Sequence, residues 1–463
     1  MRKSTKIKSV RNLTALVVFA APLTAAMATN GMLMEGYAAV ATAMGGASQA
    51  HDVGNSGMAQ NPATLALQPD GSSRLAFNLG MLQPDVKSSA MGMTAQSGGD
   101  LYLMPSIGYT KRNGPWTYGV GMYAQGGMGT EYEGSSVISA MQGLPSRSEL
   151  GVGNVLVPVA YQVNPNLTVA ATLKLVWASL DMQMTGSVAQ LAGYLPPTQS
   201  NPGNLVAGMG AIAGNPGMNP GQASGTFARI DFSDSGKFSG AAKATGLGAI
   251  LGATYRVNPD VLLGASYQFK TRLADMETSS TGASLGFVGM GTADTGKMTI
   301  IDFQMPAVIA VGGSWQANPS WLLVADLKHI GWANAMKSLR MRYDSATVTN
   351  GSVDFAIQQA WKNQTVLNLG AAWKANDQLT LRGGVSLSDN PVPDQYVHPL
   401  FPAIEKNHVM LGFGYKVSKS GTLSASLAHA PTVTVTNPGN ASTPPITISH
   451  SQNNLQFGYS HTF

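Results

Sequence analysis

The sequence predicts an all-β protein: a transmembrane antiparallel β-barrel of about 14 strands, plugged by a small N-terminal hatch. Three features of the chain indicate this fold. The chain begins with an export signal, apolar residues then recur at every second position, and short connections alternate with long ones. This combination is typical of barrels that present alternate side chains to lipid and to their interior.

The composition excludes several other classes of protein. The 463 residues include no Cys, so a disulfide framework, a thiolate zinc site and a cysteine nucleophile are all excluded. Charged residues make up 11%, against roughly 25% in an ordinary soluble domain. The 28 basic and 23 acidic residues give a formal charge of +5, which alone would allow a nucleic-acid or membrane-surface partner.

The excess of positive charge lies in residues 1–28, which we predict to be a cleaved signal peptide. Five basic residues precede an apolar run from Leu13 to Leu23, and Ala26-Met27-Ala28 follows it. This is the pattern of a secretory signal. A retained anchor is the alternative, but the run is shorter than the ~20 residues that a membrane span needs. Without the signal, 23 basic residues face 23 acidic ones, so we expect no nucleic-acid partner.

Residues 29–72, which come next, show no strand pattern. They are rich in Ala, Gly and Met. Composition alone would permit a flexible tail, but the Met and Ala content favours a compact piece packed against a wall. We therefore predict a hatch at 29–72 and a barrel at 73–463.

The barrel region shows a two-residue period. In residues 167–177 the odd positions are Leu, Val, Ala, Leu, Leu and Trp, whereas several even positions are Thr or Lys. No run of 18 apolar residues follows the signal, which excludes a helical membrane protein. Half-buried strands of a soluble sandwich would alternate in the same way. The lengths of the connections between strands are therefore needed to distinguish a sandwich from a membrane barrel.

The connections favour the membrane barrel. Six tight turns are predicted at Arg112–Pro115, Asn164–Asn166, Asn258–Asp260, Asn318–Ser320, Ala375–Asp377 and Ser418–Gly421. Seven long segments lie near 85–100, 128–149, 186–241, 279–297, 345–361, 390–405 and 432–449. Bacterial outer-membrane barrels have short periplasmic turns and longer outer loops. Thirteen connections imply about 14 strands.

The last strand also favours a barrel in the outer membrane. Leu455, Phe457, Tyr459 and the terminal Phe463 share one face. Such a strand resembles the signal that the barrel-assembly machinery recognises, so we expect Phe463 to mediate that contact and the protein to lie in the bacterial outer membrane.

Glycines concentrate on the predicted lumenal face of the strands. Glycine weakens a strand unless a backbone or ligand approaches it closely. We infer that a folded segment, most simply the hatch, packs inside the barrel. The alternative is that these glycines relieve steric crowding between side chains in the tilted wall of the barrel. The glycines are Gly80, Gly108, Gly119, Gly121, Gly246, Gly248, Gly252, Gly264, Gly370, Gly384, Gly412, Gly414 and Gly458.

Several short motifs resemble one family. They are Gly45-Gly46-Ala47, Ala50-His51-Asp52, Asn61-Pro62-Ala63, Met104-Pro105-Ser106, Pro158–Tyr161, Met305-Pro306-Ala307, Trp332, Leu381–Gly384 and Asn390–Pro393. In this order they resemble the FadL/TodX family of outer-membrane transporters of long-chain fatty acids and aromatic hydrocarbons, over nearly the whole mature chain. The resemblance implies a monomeric, hatch-plugged barrel of 14 strands.

The resemblance also implies a mechanism. An apolar groove among the outer loops captures the ligand, which passes to a pocket above the hatch. Hatch movement and an inward kink of one strand open a lateral exit into the membrane. Each buried CH₂ contributes about 0.8 kcal/mol, so successive apolar sites can guide an amphiphile past lipopolysaccharide without a reaction or a cofactor. The expected partners are the hydrophobic ligand, membrane lipid and lipopolysaccharide.

Seven residues are candidates for the site. Asn61-Pro62-Ala63 is predicted to gate the hatch or, equally, to be a structural turn. Lys174, Arg272, Lys328 and Arg382 have lumenal parity. These cations could hold a ligand carboxylate, or they could pair with lumenal acids such as Asp326 or brace the hatch.

Other functions receive less support. No G-x-S-x-G elbow or H-E-x-x-H metal motif is present, so we expect neither an enzyme nor a metal site. A general or solute-specific porin with an N-terminal plug is the main alternative, although a porin should carry rings of lumenal charge. The insertion at 186–241 suits either an adaptable binding surface or an irregular loop. Fatty acids, alkanes, aromatics and terpenoids would all suit such apolar sites.

Overall fold

The computed structural model describes residues 30–195, 226–234, 236, 239–289, 293–349, 351–440 and 443–463. The predicted signal peptide at 1–28 and the central part of the predicted insertion, 196–225, lie outside these residues. Within the described ranges, no helix is long and apolar enough to cross a membrane.

Helices are few and short. Those of the described residues that are α-helical form α1 (Ala38–Ala43) and α2 (Val188–Ala192). The described 3-10 helices are Gly54–Ala59, Pro62–Leu67, Val137–Ser139, Trp332–Asn334 and Asp394–Tyr396.

Strands make up most of the chain and belong to one sheet. They are β1 Ser73–Ala90, β2 Met93–Gln96, β3 Tyr102–Asn113, β4 Trp116–Tyr132, β5 Ser146–Gln162, β6 Leu167–Ser187, β7 Phe227–Phe232, β8 Ala242–Asn258, β9 Val261–Gln268, β10 Arg272–Leu273, β11 Met276–Glu277, β12 Ala283–Phe287, β13 Asp294–Ile301, β14 Val308–Asn318, β15 Trp321–Ile330, β16 Ser338–Ser345, β17 Ser352–Gln358, β18 Gln364–Lys374, β19 Leu379–Ser388, β20 His408–Lys416, β21 Gly421–Asn437 and β22 Ile446–Thr462.

The sheet closes on itself, which confirms an all-β antiparallel barrel. Its circuit runs β1–β3–β4–β5–β6–β8–β9–β14–β15–β18–β19–β20–β21–β22 and returns to β1. The closing pair of strands sets Phe77 opposite Tyr459. Closure removes the exposed sheet edges that lipid could not satisfy with hydrogen bonds.

The predicted number of about 14 strands is wrong for the sheet as a whole, which contains 22 strands in the part of the chain that the structure describes. The additional strands are β2, β7, β10 to β13, β16 and β17. Of these, β2, β7, β12 and β17 lie within segments predicted to be long loops, and β13 begins in one. For example, β16 pairs with both β13 and β17 beyond the outer end of β15. The six predicted tight turns are confirmed, because each one joins two neighbouring strands of the circuit.

The outer face of the wall is apolar, as the two-residue period predicts. In β6, Leu173 is 50% exposed whereas the neighbouring Thr172 is fully buried. Aromatic side chains gather next to the short turns, where Trp321 stacks on Trp373 with ring centroids 6.0 Å apart. An apolar band that ends in aromatic residues is the lipid-facing surface of a membrane barrel.

The described part of the segment before β1, residues 30–72, is almost wholly buried. We call it the N-terminal segment. It contacts lumen-facing residues of strands on many sides of the circuit, including β3, β9, β18 and β21. The segment therefore lies within the barrel.

Candidate functional site

The backbone of the N-terminal segment lies very close to several of the lumenal glycines. A methyl group on Gly264 of β9 would collide with the carbonyl oxygen of Gln49. Methyl groups on Gly370 and Gly384 would collide with the backbone at Met44 and Gly45. Only glycine leaves room for these contacts, since it carries no Cβ atom.

The Asn61-Pro62-Ala63 element forms a capped turn against the wall. The Asn61 side chain accepts a hydrogen bond from the Ala63 amide at 3.1 Å, and Pro62 begins the following 3-10 helix. The Asn61 Nδ2 atom donates to the carbonyl oxygens of Gln49 at 2.7 Å and Ala253 of β8 at 3.1 Å. Asn61 therefore links two parts of the N-terminal segment to the barrel.

One pair of side chains on β15 holds the backbone of the N-terminal segment. The Asp326 carboxylate accepts hydrogen bonds from the amides of Ser48 and Gln49, at 2.6 and 3.1 Å. Lys328 Nζ donates to the carbonyl oxygens of Gly46 at 2.9 Å and Glu35 at 3.4 Å. We call Asp326 and Lys328 the β15 clamp. Charged partners make these bonds stronger than neutral ones.

The other two lumenal cations differ in their partners. Lys174 is almost fully buried, and its Nζ donates to the amide oxygens of Gln125 at 3.1 Å and Gln268 at 3.2 Å. The Nη1 atom of Arg382 is buried and has no hydrogen-bond partner among the described residues. The structure therefore does not bring the four predicted cations together in one headgroup site.

The predicted lumenal position of Arg272 is wrong. Arg272 is exposed, whereas the next residue, Leu273, is buried. Phe269 and Lys270 are both exposed, so the two-residue alternation slips between the end of β9 and β10. A slip of one residue moves every following side chain to the opposite face.

Two acid–base residues of the N-terminal segment were not identified by sequence spacing. Asn454 of β22 donates to one Glu35 oxygen at 3.1 Å, and burial raises the pKa of this carboxyl group. Burial lowers the pKa of His51 to about 4, so His51 is neutral at pH 7. Burial cannot be read from a lone Glu or His without the barrel around it.

A cavity of about 270 Å³ lies above the N-terminal segment, and we call it the wall cavity. Met32 and Leu33 of the segment and Met104 of β3 form part of its lining. Met122 and Trp177 also line it, and these side chains are 42% and 38% exposed on the outer face. The wall cavity therefore connects the lumen with the lipid-facing surface.

A gap between β3 and β4 explains this connection. The two strands pair only as far as Ser106 opposite Tyr123, although β4 continues to Tyr132. Within this unpaired stretch, the register of β4 against β5 shifts between Ala124 and Gly126. The bulge bends the strand, and at this height β4 is not hydrogen-bonded to β3; Leu33 of the N-terminal segment forms a bridge with Gly126 there instead.

A second cavity, of about 460 Å³, lies among the outer connections, and we call it the outer cavity. Its lining includes Ile138, Met184, Phe227 and Tyr194, the last from the predicted insertion. The Tyr194 hydroxyl lies 3.2 Å from His398 Nε2. Flexible Met and amphipathic Tyr side chains suit an adaptable apolar binding surface.

Residues 16–462 match the family described as outer membrane protein transport protein (OMPP1/FadL/TodX). The chain belongs to this family. The barrel accordingly lies in the bacterial outer membrane, with the short turns at its periplasmic end.

Solved structures agree with this assignment. The Pseudomonas putida toluene transporter TodX is 29% identical, with a TM-score of 0.77 over 93% of this chain and 99% of that one. The Ralstonia pickettii toluene transporter TbuX is 28% identical, with a TM-score of 0.72 over 93% and 99% of the two chains.

Curated relatives match over shorter stretches. The long-chain fatty acid transport protein of Escherichia coli (strain K12) is 22% identical over 139 residues, which is 30% of this chain and 29% of the relative. Across the first curated relatives that it matches, the chain covers between 29% and 36% of their length.

Proposed function

We propose that this protein is a passive channel that carries hydrophobic small molecules, long-chain fatty acids or hydrocarbons, into the outer membrane. The observation that carries the proposal is the wall cavity, which joins an apolar lumen to the lipid-facing surface through the β3–β4 gap. The names of the two similar toluene transporters support a hydrophobic cargo.

The ligand follows a path of successive apolar sites. The outer cavity captures it, the wall cavity receives it above the N-terminal segment, and the β3–β4 gap releases it sideways into lipid. Each step keeps apolar surface away from water, at about 25 cal/mol per Å² of area, so transport down a gradient requires no energy source.

The N-terminal segment acts as a hatch in this proposal. It fills the lumen below the wall cavity and is held by the β15 clamp and by Asn61. The Asn61-Pro62-Ala63 turn gates the hatch by fixing its position against β8. Movement of Met32 and Leu33, which line the wall cavity, then alters the volume available to the ligand.

Assembly and oligomeric state form part of the same proposal. The Phe463 side chain is 69% exposed at the periplasmic end, where the barrel-assembly machinery could bind it. The chain works as a monomer surrounded by lipid and lipopolysaccharide, since its own circuit of strands closes the barrel.

An uptake experiment tests this function. Cells that lack their own family members are compared with and without this chain for uptake of radiolabelled ethylbenzene, a long-chain fatty acid and a small hydrophilic sugar. We expect uptake of at least one hydrophobic probe to depend on the chain and sugar uptake to be unaffected. If only sugar uptake depended on the chain, the porin alternative would replace the channel proposal.

A further inference from the structure

The described lining of the outer cavity carries no formal charge. None of its described lining residues is Asp, Glu, Lys or Arg. The one histidine among these lining residues, His398, accepts a hydrogen bond from the Leu400 amide at 3.2 Å. Burial lowers the pKa of His398 to about 4, so the ring is neutral at pH 7. A carboxylate that entered this cavity would lose water without meeting a cation.

The lining of the wall cavity includes carboxylates but, within the described residues, no Lys or Arg. Glu149 is one of these carboxylates, and it pairs with Arg147. The guanidinium also lies 3.3 Å from Asp181, so it faces two acids. The Arg147 guanidinium is therefore already shared between two negative charges.

Glu405 and His450 form the second charged group in the wall cavity. Glu405 Oε1 lies 3.3 Å from His450 Nε2, and His450 Nδ1 lies 2.9 Å from the carbonyl oxygen of Pro402. A carbonyl only accepts, so Nδ1 carries a proton. With Glu405 ionised, the pair is neutral if Nε2 is also protonated and negative if it is not. With Glu405 ionised, the pair therefore offers no net positive charge to an anion.

Arg382, whose Nη1 has no hydrogen-bond partner among the described residues, lines neither cavity. Lys174 is the other lumenal cation that could challenge this conclusion. Its Nζ donates to Gln125 and Gln268 and has no acidic partner among the described residues. However, it is 2% exposed and does not line either cavity. A ligand carboxylate would have to displace both amide oxygens to reach it.

We propose that the two cavities select uncharged hydrophobic molecules and discriminate against carboxylates of the same size. This inference rests on the proposed channel function and narrows its cargo to neutral compounds. The wall cavity, at about 270 Å³, exceeds the roughly 150 Å³ that holds benzene in an apolar protein interior, so a substituted aromatic ring fits. Burying an unpaired carboxylate among Glu149 and Glu405 is unfavourable because no cation compensates it.

An uptake experiment with competing ligands tests the proposed selection for uncharged molecules. Cells expressing the chain take up radiolabelled ethylbenzene in the presence of unlabelled phenylacetamide or phenylacetate. These competitors share a ring and a side chain of equal shape, and they differ in charge. We expect half-inhibition to require about tenfold or more phenylacetate than phenylacetamide, the ratio that about 1.4 kcal/mol of differential binding produces.

Two variants extend the test. Glu405→Gln removes one of the carboxylates that line the wall cavity, so we expect phenylacetate to compete at several-fold lower concentration while phenylacetamide is unchanged. Asp377→Asn is the control, because Asp377 is an exposed residue of a periplasmic turn, and we expect it to leave both values unchanged. Surface levels of each variant are compared by immunoblotting of outer membranes.

The outcomes separate this inference from the proposed function. Equal competition by phenylacetate and phenylacetamide in the natural chain would overturn the selection for neutral ligands. Loss of phenylacetate competition in Lys174→Met would then identify Lys174 as the headgroup site. Chain-independent uptake of ethylbenzene and of the fatty acid alike would instead overturn the channel function itself.

Discussion

At the scale of single residues, Gly264 of β9 gives the sharpest test of packing between wall and hatch. Gly264→Ala places a methyl group on the carbonyl oxygen of Gln49. Overpacking of this kind costs about 1–3 kcal/mol. We expect a lower midpoint of thermal unfolding and faster protease cleavage within the N-terminal segment, both measured on purified protein.

Gly313 of β14 provides the matched control for Gly264. A methyl group on Gly313 would meet the flexible Leu263 side chain at 3.3 Å, on the outer face. Alanine in a strand loses less conformational entropy on folding than glycine does. We therefore expect Gly313→Ala to be neutral or slightly stabilising. Equal destabilisation by both substitutions would show that strand geometry, rather than contact with the hatch, requires glycine.

Sequence reasoning at this scale succeeded where a residue's face followed from a regular period. The lumenal position of Gly264 could be predicted because β9 alternates without interruption. Arg272 was placed on the wrong face because the period slips at Phe269 and Lys270. The partners of Asp326 could not be predicted, since they are backbone amides 277 and 278 residues away.

At the scale of elements, β4 determines where the wall opens. Ala124 lies at the bulge of β4 and lines the wall cavity. Ala124→Trp fills the space between β3 and β4, and we expect uptake of the hydrophobic probe to slow about tenfold, equivalent to about 1.4 kcal/mol of barrier. The measurement is the initial rate of ethylbenzene uptake, or of fatty-acid uptake if that is the probe carried.

Val120→Trp on the same strand is the control for Ala124→Trp. Val120 is 49% exposed on the lipid-facing surface and pairs with Tyr109, below the gap. An added indole there meets lipid rather than the path of the ligand, so we expect normal uptake. Normal uptake by Ala124→Trp, at equal surface level, would argue against lateral release beside β4.

Several of the elements missed by sequence reasoning lie in the long connections. Segments such as 279–297 were interpreted as loops, yet they contribute β12 and β13 to the sheet. The connection 390–405 also turns inward, and its Leu400, Phe401 and Ile404 are buried. Residues that pack against distant strands have no local signal, because their apolar partners are remote in sequence.

At the scale of the whole molecule, the barrel and the N-terminal segment contribute different properties. The circuit of strands closes through β1 and β22 without any residue of the N-terminal segment. The segment occupies the lumen and holds its place through hydrogen bonds with β8 and β15. The barrel should therefore assemble without the segment, whereas exclusion of water-soluble molecules should depend on it.

Deletion of residues 30–72, with the preceding residues retained, tests this division of roles. We expect the deleted chain to assemble and to admit small hydrophilic sugars, because the lumen loses the segment that fills it. Liposome swelling measures the sugar flux, and the intact chain, which should exclude the sugar, is the control. Slower migration on gels after heating shows that the barrel has formed. An assembled deletion variant that still excludes sugar would contradict the hatch proposal, and equal sugar flux through the intact chain would favour a porin.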